Sequence, residues 1–452
     1  MTDRSQALTD AFMADMRDKN PGEDLFLQAV EEVALDVITV EKANSDYTAA
    51  RILARLTEPD RVIAFRINWE DDAGMVQINR GWRVQHCNAV GPYKGGLRFA
   101  SSVTPSVLKF LGFEQTFKNA LTGLQLGGAK GGANFEPKGR SKNEVMRFCH
   151  AFMSELQHHI GPSRDIPAGD IGVGTREIGF LFAAWKQNNR DFAGVLTGKS
   201  LCIGGSQLRV EATGYGLVYF LCAMLGTANE DIEGKRIAIS GMGNVALHAA
   251  RKALALGGRV VSLSDTSGVI EASDGLTAAA LDWIEARKAA NESVGVPPRE
   301  LGMVFRPGSN PWSIECDVAL PCATQNEINA KDARALLDAG CRFLAEGANM
   351  PLTADAQRII HNSDICYAPG KVSNAGGVAV SGLEMAQNAT FRPLPAEEVD
   401  RTLRGIMVDI HGKLRTEAQS DTTSQKRIDY RRAANRVAYR RVAEALLDYG
   451  VI

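Results

Sequence analysis

The sequence predicts a two-domain α/β protein whose C-terminal half is a doubly wound parallel sheet. Three observations predict it. From about residue 235, short apolar strands alternate with helices, the pattern of a parallel sheet covered on both faces. The 452 residues are 45% apolar and 23% charged, a globular composition that is long enough for two or three domains and excludes wholesale disorder. Glycine is in excess, 44 residues or about a tenth of the chain against the usual ~7%, and it clusters, which points to binding loops built from backbone.

The elements follow in order. The start, Met1-Thr2-Asp3-Arg4-Ser5-Gln6, has no apolar signal core, and no apolar run is long enough to span a bilayer. The first 60 residues read as helical, with Leu25, Ala29, Val33 and Val37 at helical spacing and Phe26, Val30 and Ile38 widening the stripe. Val62 to Trp69, the turn Asp71-Asp72-Ala73-Gly74 and the alternating Met75 to His86 form a hairpin signature. Thr104-Pro105 opens a helix that Gly123 closes, and Ser141 with Glu144 makes the capping box of a helix running to Gly161. Later strands are Arg236 to Ser240, Arg259 to Leu263, Asp317 to Leu320 and Cys341 to Ala345, and the tail from Lys426 to Ile452 reads as one basic amphipathic helix. The 51 basic and 53 acidic residues nearly cancel, so bulk charge supports neither nucleic acid nor an anionic membrane as partner. Eight scattered cysteines without a C-x-x-C pair are the usage of reduced thiols in a cytoplasmic protein, and no metal is expected.

Gly241-Met242-Gly243-Asn244-Val245-Ala246 fits G-x-G-x-x-A. It follows a predicted strand, opens a helix and precedes a second strand ending at Asp265, the context that makes this short pattern a dinucleotide fingerprint. Gly241 permits the tight turn, Gly243 lets backbone approach a pyrophosphate, and Ala246 allows close helix–strand packing. The helix N-terminus offers unpaired N–H groups and a positive dipole end. This half is therefore Rossmann-like. Asp265 would grip a ribose diol and repel a 2′-phosphate, whereas Ser264, Thr266, Ser267, Arg287 and Lys288 would favour that phosphate; charge alone leaves both readings open.

Three lysines lie between residues 94 and 130. Lys94 and Lys130 sit in Gly91-Pro92-Tyr93-Lys94-Gly95-Gly96 and Gly127-Gly128-Ala129-Lys130-Gly131-Gly132; Lys118 shares a helix face with Gln115. Each alone could be a solvated charge, and Lys118 could merely pair with Glu114. The flanking glycines argue instead for packing against a small ligand. Converging cations would hold carboxylates and lower the remaining amine's pKa, a logic suited to a small dicarboxylate. Asp170, in Pro167-Ala168-Gly169-Asp170-Ile171-Gly172, is either a proton shuttle beside that amine or a turn-capping aspartate.

These stretches, with KFLGFEQTFKNA (109–120), PAGDIGVG (167–174), EATGYG (211–216), ALPCATQNE (319–327), AEGAN (345–349) and APGKVSNAGGVAVSGLEMAQN (368–388), carry a family resemblance over nearly the whole chain. The chain resembles the hexameric, NADP-preferring glutamate dehydrogenases of the Glu/Leu/Phe/Val dehydrogenase family. The resemblance implies oxidation of L-glutamate by hydride transfer to give an imine, then 2-oxoglutarate and ammonium, with the reverse as reductive amination. It implies Lys130 and Asp170 as the catalytic pair, Lys94 and Ser381 at the distal carboxylate, Lys118 with Gln115 at the α-carboxylate, and Gly169 offering backbone. Thr213, Gly241, Gly243, Asn244, Val245, Asp265, Thr266, Lys288 and Asn349 match cofactor positions, and the stretch from Ser264 to Gly268 with Lys288 favours NADP. It also implies a homohexamer, domain closure on the substrate, and a division into 1–201 with 428–452 for substrate and assembly and 202–427 for the dinucleotide. Ala129 and Glu136 depart from the glycine and aspartate common in the catalytic-lysine loop without removing a functional group.

Two rival readings remain. Ala193 to Ser200 satisfies a relaxed phosphate-loop pattern of an NTPase, but a helix precedes it and Leu201 to Gly205 cannot propagate one. A non-catalytic dinucleotide-binding regulator would not need Lys94, Lys130 and Asp170 together. In the basic tail Ala434, Val437, Val442 and Leu446 form a packing stripe, which implies a docked helix with a solvated arginine face rather than an RNA-binding one. His158 and His159 read as helix-surface residues.

Overall fold

The structure is a computed structural model and describes residues 3–290, 292–420 and 427–450, so Met1, Thr2, Lys426, Val451 and Ile452 of the two terminal readings lie outside it. The chain forms two compact units. The first comprises 1–207, 380–399 and 434–452; the second comprises 208–379 and 400–433. Among the described residues no helix is long and apolar enough to cross a membrane.

In the first unit, α1 (Asp3–Lys19), α2 (Asp24–Ala43), α3 (Ser45–Ala49) and α4 (Ile52–Leu56) precede the sheet. The buried stripe of α2 is Phe26, Val30, Val33 and Val37, while Leu25 is about half exposed, so the apolar face is rotated from the one the spacing suggested. The hairpin is β1 (Arg61–Glu70) and β2 (Val76–Cys87); then come β3 (Tyr93–Phe99), α5 (Pro105–Leu121), β4 (Gly128–Ala133), α6 (Lys142–Leu156), β5 (Asp165–Gly169) and α7 (Thr175–Asn189). The strand order is β1-β2-β4-β3-β5, antiparallel across β1, β2 and β4 and parallel across β4, β3 and β5. Thr104 accepts from Val107 N–H as the N-cap of α5, and the Ser141–Glu144 capping box starts α6. Helix α6 stops at Leu156 rather than Gly161. A tightened bond from His159 N–H to Leu156 O turns the chain, and His158 and His159 occupy that turn. Phe99, Phe135, Phe148 and Phe152 form the core between the sheet and α6, with Phe135 and Phe148 stacked at 3.7 Å.

The second unit contains α8 (Ala212–Thr227), β6 (Arg236–Ile239), α9 (Asn244–Ala255), β7 (Arg259–Asp265), β8 (Gly268–Glu271), α10 (Ala278–Ala289), β9 (Val304–Pro307), β10 (Val318–Leu320), α11 (Ala330–Asp338), β11 (Phe343–Ala345), α12 (Ala354–His361), β12 (Cys366–Ala368) and α13 (Gly370–Ser373). Its sheet runs β12-β11-β10-β6-β7-β8-β9 and is parallel from β12 to β7. The first strand, β6, lies between the second and the third parallel strands, so the winding reverses direction between β6 and β10. That reversal is where doubly wound sheets bind ligands.

Helices α14 (Gly376–Thr390), α15 (Ala396–Ser420) and α16 (Tyr430–Tyr449) each begin in one unit and end in the other. Residues 380–399, which the sequence reading placed in the second domain, belong to the first. Glu384 pairs with Lys199, Gln387 accepts from Ser206, and Asn388 donates to Gly204 O. The arginine face of α16 is not wholly solvated. Arg441 donates to Ala120 O in the last turn of α5, a carbonyl without a partner within its own helix, and to the Gly123 and Leu124 carbonyls just beyond it, while Arg436 donates to Asp36 O on α2.

Candidate functional site

Strand β3 presents Lys94, Gly96 and Arg98 at period two, on one face. A β-carbon on Gly96 would lie 2.8 Å from Asp170 Cβ and 2.9 Å from Gly169 O, so this glycine makes room for the Asp170 side chain to lie over the strand. Arg98 Nε donates to Asp170 Oδ2 at 2.7 Å. From β4, Lys130 Nζ reaches Asp170 Oδ1 at 3.0 Å. One carboxylate is thus held between two cations, and all three side chains retain limited solvent contact: 7% for Lys130, 19% for Asp170 and 20% for Arg98.

This geometry sets the acid–base character. Burial pushes the Asp170 carboxyl up, but the Lys130 ammonium and the Arg98 guanidinium outweigh it and hold the group at about 2. Burial pulls the Lys130 amine below the ordinary lysine range; Asp170 opposes that pull without cancelling it, and Arg98 and Arg83 add to it. The two titrations are linked. When Lys130 gives up its proton, Asp170 loses one of its two cations and its own proton affinity rises.

The supporting groups fix these positions. Arg83 and Asp165, both fully buried, pair at 2.9 Å through Nε and Oδ2, Gln85 donates to the same oxygen, and Arg83 Nη1 donates to Gly95 O. Asn119 on α5 donates to Lys94 O at 3.0 Å and accepts from Gln115 Nε2 at 2.7 Å. Lys94 is 1% exposed, and its Nζ donates to Thr197 Oγ1 at 2.7 Å. Lys118 is partly buried on α5, which packs on β4, and Gly169 ends β5. Ser381, 2% exposed, lies on α14 in the part that belongs to this unit.

The glycines flanking the lysines have a different cause from the one the sequence suggested. A β-carbon on Gly95 would lie 1.7 Å from Ala129 O; one on Gly128, 2.0 Å from Thr116 Oγ1; and one on Gly131, 2.9 Å from Arg83 Cδ. They permit close packing within the protein, and only indirectly shape a space for a ligand.

In the second unit, Gly241 has φ +86° after β6, and Gly243 caps α9 with nothing within 4 Å of where its β-carbon would stand. Gly241 N–H donates to Ser264 Oγ, and Ser240 Oγ accepts from Cys322 N–H at 2.9 Å, which ties the loop to the end of β10 at the switch point. Asn244 Nδ2 donates to Val210 O, Val245 follows it in the first turn of α9, and Asn349 Oδ1 accepts from Asn374. Thr213 lies in the first turn of α8, 2.7 Å from where a β-carbon on Gly377 would be. Asp265 ends β7 and accepts from Ser267 N–H at 2.9 Å and from Lys288 Nζ at 3.0 Å, while Thr266 is exposed beside it. An open glycine, a free helix N-terminus and a switch point together fit a dinucleotide.

Sequence reasoning missed Arg98, Asn119 and Thr197. Arg98 was signalled by its place four residues after Lys94 on one strand; Asn119 and Thr197 act through contacts made only on folding. The phosphate-loop pattern at 193–200 encloses no anion site: Lys199 is buried against Glu384, and Leu201–Ile203 is a single 3₁₀ turn. Among the described residues no group of three His, Cys, Asp or Glu side chains could hold a metal ion.

Comparison with known proteins adds to this geometry. Residues 59–187 match the family model of the Glu/Leu/Phe/Val dehydrogenase dimerisation domain, and residues 204–450 that of Glutamate/Leucine/Phenylalanine/Valine dehydrogenase. The chain is similar to an NADP-specific glutamate dehydrogenase of a Psychrobacter species, 51% identical over 94% of this chain and 96% of the relative. It is also similar to an NAD-specific glutamate dehydrogenase of Bacteroides fragilis, 48% identical over 97% and 99% of the two chains. Among solved structures, a glutamate dehydrogenase of Plasmodium falciparum superposes with a TM-score of 0.94 at 42% identity, covering 99% of this chain and 96% of that one.

Proposed function

The chain belongs to the Glu/Leu/Phe/Val dehydrogenase family, and from that premise we propose how its residues interconvert L-glutamate with 2-oxoglutarate and ammonium using a nicotinamide dinucleotide. The observation that carries the reading is Asp170 held between Lys130 and Arg98 on the sheet that also bears the buried Lys94. Lys94, with Thr197 and Ser381, binds the distal carboxylate; Lys118 and Gln115 bind the α-carboxylate, and Gly169 contributes backbone. A cation buried at Lys94 needs an anionic side chain opposite it, which selects glutamate over apolar amino acids.

Bound along Gly241, Gly243 and the head of α9, the nicotinamide dinucleotide supplies the hydride acceptor for the Cα–H of glutamate. Lys130, its amine biased toward the neutral form by burial, assists attack of water on the resulting imine. Asp170 exchanges protons with the substrate nitrogen, and its proton affinity rises as Lys130 is neutralised. Thr213, Asn244, Val245 and Asn349 line the cofactor's path. NADP is the preferred form: Asp265 is already occupied by Ser267 and Lys288, so its repulsion of a 2′-phosphate is offset, and Thr266 and Lys288 face solvent there. The assembly is a homohexamer; the exposed apolar Val62, Val76 and Ile78 on the β1–β2 hairpin support burial between subunits.

The test follows NADPH and NADH oxidation side by side with 2-oxoglutarate and ammonium. Oxidation that needs both co-substrates and is faster with NADPH supports the reading; oxidation independent of 2-oxoglutarate contradicts it.

A further inference from the structure

The segment Ala193 to Ser200 has no part in phosphate binding, yet it contains one of the most deeply buried charges in the first unit. Lys199 is 1% exposed and its partner Glu384 0%. Lys199 Nζ donates to Glu384 Oε1 at 2.7 Å and also to Leu196 O. Glu384 Oε2 accepts from Gly198 N–H at 2.9 Å, and Oε1 from Lys199 N–H at 3.4 Å. These bonds hold the backbone on both sides of Thr197, the residue whose hydroxyl accepts from Lys94. Glu384 also lies one helical turn after Ser381 on α14.

A buried ion pair is a weak source of stability, because desolvating both charges offsets most of their attraction and apolar replacements of similar volume fold equally well. What this pair supplies is a fixed distance between a loop and a helix. We propose that Lys199 and Glu384 are positioning residues for recognition of the substrate's distal carboxylate, fastening the Thr197 loop to the Ser381 helix so that both hydroxyls keep their places relative to Lys94. The proposal rests on the reading that Lys94 binds that carboxylate.

The test is steady-state kinetics of the full-length enzyme carrying Lys199→Met and Glu384→Gln together, a change that leaves no uncompensated charge. The expected result is a KM for 2-oxoglutarate raised by about tenfold or more, because small misplacements of binding groups are costly, while the KM values for NADPH and ammonium move by less than about twofold. An unchanged KM for 2-oxoglutarate in the folded variant overturns the proposal, as does a general loss in which kcat and all three KM values move together. Glu384→Asp, which keeps both charges and shortens the reach by one methylene, is judged by the same criteria and decides the matter if the double variant does not fold. Lys94→Leu, measured in parallel, separates the two readings. If it raises this KM and the double variant does not, only the positioning role fails; if it leaves the KM unchanged, the Lys94 reading fails and the positioning role with it.

Discussion

A β-carbon on Gly95 would lie 1.7 Å from Ala129 O, whereas one on Gly243, at the head of α9, would meet nothing within 4 Å. Both glycines flank residues assigned to binding, and both stand in glycine-rich stretches. In the lysine-bearing sheet, glycine lets strands and helices of the protein approach one another, and Asp170 is laid over Gly96 between its two cations. In the doubly wound sheet, Gly243 leaves space that the protein does not fill. Glycine enrichment therefore marks two physical situations, and only the second points directly at a ligand.

Substitution separates them. Gly95→Ala should cost about 3 kcal/mol of stability or more, since its contact is backbone that cannot yield. Gly243→Ala, with φ −88°, should stay within about 0.5 kcal/mol in thermal unfolding yet weaken NADPH in a fluorescence titration. Equal stability losses would erase the distinction. Next in size is Arg98→Met. Asp170 is held at about 2 by Lys130 and Arg98, so removing one cation raises its pKa. Activity that needs the ionised carboxylate is lost as pH falls through that pKa, so the acid limb of the kcat profile should move upward, by roughly one unit or more. The charged groups nearest on the packed strands, Arg83 with Asp165 and Lys94, are unchanged in this variant. An unmoved limb would make Arg98 merely structural. The smallest effect is expected from Lys288→Met, which unmasks Asp265; the NADPH preference over NADH should fall by about fivefold, the worth of one surface charge pair. An unaltered ratio would place phosphate selection elsewhere.

The sequence made the second unit's site the more legible of the two, because its parts are contiguous: strand, Gly241 to Ala246 and helix occur in one short stretch, and the backbone does the binding. The lysine site joins β3, β4, α5, the turn after β5, and α14. Lys94, Lys130 and Asp170 were readable through their glycine settings, although those glycines serve protein packing. Arg98 carried one signal, its period-two spacing from Lys94 on a single strand, whereas Asn119 and Thr197 carried none, since a helix asparagine or a loop threonine acquires a role only when a group from a distant segment arrives beside it. The same reason explains why residues 380–399 looked like part of the second domain: the contacts that bind them to the first, such as those of Glu384, Gln387 and Asn388, are made with residues far away in sequence.

The most direct test of the lysine–aspartate site compares Lys130→Ala with the parent enzyme in 2-oxoglutarate- and ammonium-dependent NADPH oxidation, alongside NADPH binding by fluorescence. Turnover should fall by roughly 10²–10⁴-fold, the range of a lost general acid–base group, with the NADPH dissociation constant little changed. Turnover comparable to the parent would contradict the assignment of the chemistry to Lys130.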